Sequence, residues 1–182
     1  MIFPAENLTS RKGISFKIRS AGPEDAPGML AYMKTMLGET PFLLRTPEEF
    51  SYTPEEEAAI LASRRDDPRG VMLLVEHDGR VVANAAIDSH GSKSRVLHRA
   101  ELGISVLKDY WGQGIGSALM DRLVAFAARS GYEQIELTVE SKNQRALRLY
   151  LRYGFTVYGT RPHGMKYPDG SYDSDYLMVR ML

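Results

Sequence analysis

Apolar positions change period several times along the chain, and each change predicts an element. Ile14 to Arg19 alternates apolar and polar residues as a first strand, and Met29, Leu30, Met33 and Leu37 then fall on one helical stripe. A Pro-broken stretch, GETPFLLRTPEEFSY, follows. Thr53, Pro54 and Glu56 next supply an N-cap, a first-turn proline and a capping-box acid for a helix to about Arg65. This whole stretch reads as a lid. VMLLVEHDGRVVANAAI is two β-rich runs about Asp78-Gly79, a strong hairpin signal. Arg99 to Leu107 reads as a strand, Ile115, Leu119, Leu123 and Phe126 mark a helix capped near Gly131, and Gln134 to Glu140 returns as a strand. Asn143 to Tyr153 is a short helix stopped by Gly154, and the remaining residues form two strands about Pro168-Asp169-Gly170.

The most informative stretch joins strand to helix: WGQGIGS, with glycines at 112, 114 and 116. Glycine lets the backbone turn at φ > 0 and brings amide hydrogens to a ligand with no side chain between, while the following helix start adds partial positive charge. The expected occupant is a phosphate, held by the amides of Gly112, Gln113, Gly114, Ile115, Gly116 and Ser117. A P-loop is excluded because no Gly-Lys-Ser/Thr follows with the required spacing. A Rossmann-type nucleotide-dependent oxidoreductase is the competitor, since Glu140 stands where a ribose-binding carboxylate would. Against it, Ser117 stands where the final glycine would fall, LKDYW separates strand from glycines, and too few residues follow Glu140 for the remaining parallel strands.

Composition narrows the partner. At 182 residues the chain suits one domain with one core. Lys plus Arg and Asp plus Glu both number 23, so no net field draws it to nucleic acid or an anionic membrane, and a phosphate must be held locally. With no cysteine there is no disulfide, thiolate nucleophile or Cys-based zinc site, and a reducing, cytoplasmic setting is expected. No signal peptide or membrane-crossing run is read, and no metal is implied.

ELGISVLKDYWGQGIGSAL followed by NQRALRLYLRYGF resembles the coenzyme A site of the GNAT family of N-acetyltransferases, and the element order resembles that family over nearly the whole chain. The resemblance implies an α/β (α+β) fold: a mixed, mostly antiparallel sheet of about seven strands flanked by helices, its fourth and fifth strands splayed apart. The family pattern is Arg or Gln, two residues, Gly, one residue, Gly or Ala. Gly114 and Gly116 match it, and Trp111 stands at the leading position. Acetyl-CoA is the implied co-substrate, its pantetheine arm pairing with backbone groups of Ile104, Ser105 and Val106 in the gap. The implied reaction is direct attack of a primary amine, on a small molecule or a peptide, on the thioester. A homodimer is also expected, because dimers are common in the family.

Asn143, Ala146, Leu147 and Tyr150 recur at i, i+3, i+4 and i+7 and so share one helix face. By the resemblance Asn143, with Ala146, contacts the cofactor and Tyr150 serves the departing thiolate. A phenol near pKa 10 is a poor full donor to a thiolate near 8.5, so a hydrogen bond is the safer role. The alternative is that Tyr150 is a core aromatic beside Phe155. The amine must lose a proton; Glu101 is the candidate base, working through water or with a raised pKa, and His98 the reserve. Glu101 reads equally as a surface carboxylate, and His77, His90 and His163 read as solvated. The Val106 amide is the implied donor to the thioester oxygen. The lid's acidic residues are read first as a solvated helix face. An acyl-CoA-binding sensor without turnover is the non-enzymatic alternative.

Overall fold

The computed structural model describes residues 2–10 and 12–182. The element order is β1 (Glu6–Thr9), β2 (Ser15–Ser20), α1 (Ala26–Glu39), α2 (Pro54–Asp66), β3 (Val71–His77), β4 (Arg80–Ser89), β5 (Arg99–Val106), α3 (Ile115–Arg129), β6 (Gln134–Glu140), α4 (Gln144–Arg152), β7 (Thr156–Lys166) and β8 (Tyr172–Met181). The strands form an eight-stranded sheet in the order β1-β2-β3-β4-β5-β6-β8-β7. Among the described residues β5 and β6 pair in parallel, and the β1–β2, β2–β3, β3–β4, β6–β8 and β7–β8 pairs are antiparallel. This is the expected mixed, mostly antiparallel architecture with one strand more, β1, which adds to the edge of β2. The mixed sheet also removes the dinucleotide fold, which needs an extended parallel sheet.

The chain divides into two compact units, one from residues 1–88 and 103–123, the other from 89–102 and 124–182; β5 and α3 run from one into the other. In the first unit α1 and α2 pack on β3 through a buried cluster of Met29, Tyr32, Met36, Leu61 and Leu74. The buried face of α1 therefore includes Tyr32 and Met36, whereas Leu30 and Met33 are only half-buried. The expected capping box on α2 is present: Thr53 Oγ1 accepts the Glu56 N–H at 3.2 Å and Glu56 Oε2 accepts the Thr53 N–H at 2.8 Å. Of the stretch read as a lid, α2 packs into the core through Leu61, while residues 41–53 run irregularly before it. The β3–β4 turn is the expected two-residue hairpin, with Asp78 and Gly79 at φ 49° and 74°.

In the second unit β8 lies between β6 and β7. Phe126, Ile135, Leu137, Tyr150, Phe155 and Met178 are all buried. The parallel register places Arg99, Ala100 and Glu101 opposite Gln134, Ile135 and Glu136, and among the described residues it ends there although β6 runs on to Glu140.

Candidate functional site

A short 3₁₀ turn, Lys108–Tyr110, joins β5 to the glycine loop. Gly112 and Gly114 take φ 75° and 88°, and no atom lies within 4 Å of where a Cβ would stand on either. The loop is open on that side, and only glycine holds this backbone without strain. Gly116 is different. It is the second residue of α3 and is not left-handed, so two of the three glycines turn the loop. The Gly114 carbonyl accepts the Ala118 N–H at 3.0 Å and closes the first helical turn. The amides of Ile115, Gly116 and Ser117 therefore stand in the helix's first turn, at the positive end of its dipole. Ile115 and Leu119 are buried and fix the helix; Gln113 is buried between the two turn glycines, with its side-chain oxygen unpartnered among the described residues. An open cradle, two left-handed glycines and a helix start fit a diphosphate.

The strand leading into the loop is braced from three sides. Ser105 Oγ donates to Asn84 Oδ1 at 2.7 Å, so Tyr32 donates its own hydroxyl proton to Ser105 Oγ, also at 2.7 Å. Tyr32 is 2% exposed, and burial pushes its hydroxyl pKa up, which keeps it a donor at neutral pH. The Leu107 N–H donates to the Val82 carbonyl at 3.0 Å, and the Lys108 N–H to Glu39 Oε2 at 2.7 Å. Trp111 turns its indole back and donates from Nε1 to the Val106 carbonyl at 2.6 Å. The reading of Val106 as a wholly free backbone edge is thus corrected: one lone pair of its carbonyl is engaged. Ile104, Ser105 and Val106 are half-buried, with Gly103 exposed beside them. Tyr32, Asn84 and the role of Trp111 were not read from the sequence. A polar Asn84 within the apolar run VVANAAI was the available signal.

The second unit holds the other expected residues. Asn143 is the N-cap of α4, its Oδ1 accepting the Ala146 N–H at 3.1 Å. This corrects the reading of Asn143 as one of four residues on a helical face: its amide oxygen is engaged in capping, and the Ala146 N–H with it. Asp173 of β8 holds the segment before the cap, accepting from Ser141 Oγ at 2.7 Å and from the Lys142 N–H at 3.3 Å. Tyr150 is buried and tilts against Phe155, ring centroids 5.8 Å apart, so the core-aromatic contact considered from the sequence is present. Its hydroxyl has no hydrogen-bond partner among the described residues, and burial pushes its pKa up. That weakens it as a full proton donor and leaves a hydrogen bond as its chemistry.

Glu101 is exposed on β5. The buried carboxylates of this unit lie elsewhere. Glu136 is gripped by Arg99 at 2.5 and 2.7 Å and is held below the ordinary range by that bond. Glu140 accepts from the Tyr167 hydroxyl, has its other oxygen unpartnered among the described residues, and is pushed up by burial. The His98 carbonyl accepts the Glu133 N–H at 2.9 Å. His77, expected to be solvated, instead packs on Phe16 and Tyr110 and pairs Nδ1 with the Ser15 carbonyl at 3.0 Å. His163 stacks on Tyr172, centroids 4.5 Å apart. No helix among the described residues is long and apolar enough to cross a membrane.

Residues 38–155 match the sequence profile described as the Acetyltransferase (GNAT) family. The chain is 36% identical over 125 residues, 69% of its length and 76% of the relative's, to an uncharacterised N-acetyltransferase of Mycobacterium tuberculosis. It is 33% identical over 142 residues, 74% of its length and 85% of the relative's, to the L-amino acid N-acetyltransferase of Escherichia coli. Among solved structures it resembles an acetyltransferase of the GNAT family from Streptococcus pneumoniae, with a TM-score of 0.87 and 29% identity over 92% of this chain and 99% of that one.

Proposed function

This chain belongs to the GNAT acetyltransferase family, transferring the acetyl group of acetyl-CoA to an amine, and from that premise we propose that its acceptor is the α-amino group of a small amino acid. The observation that carries the acceptor class is the likeness to the Escherichia coli relative, whose name states L-amino acids as its substrate, over 85% of that protein's length. A peptide N-terminus is the second reading, to be separated by experiment. Residence in the cytoplasm and a homodimer belong to the same proposal; the absence of cysteine supports the first, and family habit the second.

The proposed roles follow residue by residue. Amides from Gly112 to Ser117, including those of Gln113 and Ile115, hold the diphosphate. A hydrogen bond to a charged acceptor contributes about 1.5–3 kcal/mol, so a few suffice for micromolar affinity. Backbone groups of Ile104, Ser105 and Val106 receive the pantetheine arm, a reading supported by the early end of the β5–β6 register. The Val106 N–H faces the thioester oxygen as charge develops there. Asn143 retains its side-chain NH₂ for the cofactor while its oxygen caps α4, and Ala146 lines the same turn. Tyr150 donates a hydrogen bond to the departing sulfur. Glu101, exposed on the strand, relays the ammonium proton through water to the solvent.

The deciding experiment is thiol release from acetyl-CoA across amines of different class. Small amino acids should give kcat/KM at least about tenfold above polyamines, aminoglycosides and peptides, a difference of about 1.4 kcal/mol in transition-state binding. A peptide or polyamine leading the panel would overturn the acceptor assignment. Absence of turnover with every amine, while coenzyme A still raises the melting temperature, would favour the sensor.

A further inference from the structure

Trp111 is the only tryptophan in the chain, and it stands where the family pattern has Arg or Gln. Its indole does not extend away from the fold. It donates from Nε1 to the Val106 carbonyl at 2.6 Å, bridging the first residue of the glycine loop to the last residue of β5. The peptide unit that contains this carbonyl also contains the Leu107 N–H, which donates to the Val82 carbonyl on β4 at 3.0 Å. Both polar ends of one peptide plane are therefore tied.

The neighbouring plane, Ser105 C=O to Val106 N–H, is hinged on this one at the Val106 Cα. On its other side the Ser105 side chain is tied to Asn84 and Tyr32, each at 2.7 Å. Successive N–H groups along a strand point to opposite edges, so with Leu107 directed to β4 the Val106 N–H is directed away from it. An amide clamped on both flanks and turned away from its partner strand is a preoriented donor. It loses little to reorganisation when charge appears opposite it.

We propose that Trp111 is a positioning residue for the transfer step: its indole N–H locks the Val106–Leu107 peptide and so aims the Val106 N–H at the oxygen that gains charge. The proposal rests on the role given above to Val106, and it assigns Trp111 to turnover rather than to cofactor affinity. A side chain with an N–H donor serves this purpose whether or not it is charged, which accounts for tryptophan in the place of Arg or Gln.

The test compares Trp111→Phe, which keeps an aromatic ring and removes the donor, with Trp111→Gln, which restores a side-chain N–H. With acetyl-CoA and the best amine of the panel, Trp111→Phe should lower kcat about fivefold, with the coenzyme A dissociation constant within about twofold, and Trp111→Gln should recover most of the loss. Wild-type kcat in Trp111→Phe, a loss confined to coenzyme A affinity, or no recovery in Trp111→Gln would each overturn the assignment. A second measurement needs no variant. The single indole N–H resonance of the wild-type chain should exchange slowly with solvent in the absence of ligand, and rapid exchange would remove the clamp. If wild-type protein turns over no amine, the functional reading fails, while the indole measurement still decides the clamp.

Discussion

Arg99 grips Glu136 with two hydrogen bonds of 2.5 and 2.7 Å, and Glu136 stands on the last rung at which β5 and β6 remain in register. The ion pair closes the paired part of the two strands at the point where pairing stops. The Arg99 hydrogen bond holds the Glu136 carboxyl below its ordinary 4.5, so its contribution to stability is complete above that value and is lost as pH falls through the lower folded value. We predict that Arg99→Met costs about 1–2 kcal/mol at pH 7, because it removes the cationic partner of a mostly buried carboxylate and leaves it the Gln134 side-chain N–H at 2.8 Å, and markedly less near pH 3. Urea denaturation at the two pH values checks this; equal losses at both would show that packing, not charge, is responsible.

Gly114 has φ 88° with nothing within 4 Å of a Cβ position, so Gly114→Ala meets no clash and suffers only from backbone strain. The expected loss is about 1–2 kcal/mol of stability together with weaker coenzyme A binding. Gly103→Ala is the control. Gly103 also has open space and no left-handed φ, and it lies in a strand, so its melting temperature should hold or rise slightly. Equal effects at the two positions would refute the conformational argument.

Tyr150→Phe should lower kcat at least about tenfold with little change in coenzyme A affinity, the signature of an interaction made in the transition state. Since the hydroxyl has no partner among the described residues, the melting temperature should barely move. Burial raises the Tyr150 pKa above the ordinary 10, so its ionisation should not produce an alkaline fall in rate below pH 10. Unchanged kcat would leave Tyr150 as a core aromatic against Phe155.

Glu140 behaves oppositely to Glu136. Burial raises its pKa, so the folded state binds its proton more tightly than the unfolded chain does, and stability declines as pH rises from about 4.5 through the folded value. Glu140→Gln keeps an acceptor for the Tyr167 hydroxyl and removes the buried charge. It should stabilise the protein at pH 7 by about 1 kcal/mol and leave stability near pH 4 unchanged. A loss at pH 7 would show that Glu140 meets a compensating cation.

Elements set by local chemistry were legible in the sequence. The limits Gln134–Glu140 for β6, the Thr53 capping box and the Asp78-Gly79 hairpin all depend on residues close in the chain, and all are present. Strand β1 was missed because Glu6–Thr9 is short, with no buried residue and no apolar alternation. Periodicity placed Asn143 on a helical face, but a residue three positions before the N–H it caps has the same spacing, and the side-chain bond to Ala146 decides between them. The Tyr32, Ser105 and Asn84 chain joins α1, β5 and β4, separated by 73 and 21 positions, which no local pattern can register. The glycine cradle was legible because its conformation is encoded in the residues themselves.

Asp173 ties the segment before Asn143 to β8, and β8 inserts between β6 and β7. The strand that secures the start of the Tyr150 helix is therefore made after that helix. A nascent chain stopped before Tyr172 would carry the glycine loop and α4 complete, yet α4 would lack its tether and β6 its antiparallel neighbour. Biosynthesis thus delays the settling of α4 until β8 has followed it, and a fusion joined just after β8 should be judged by whether it lets that strand slot into place.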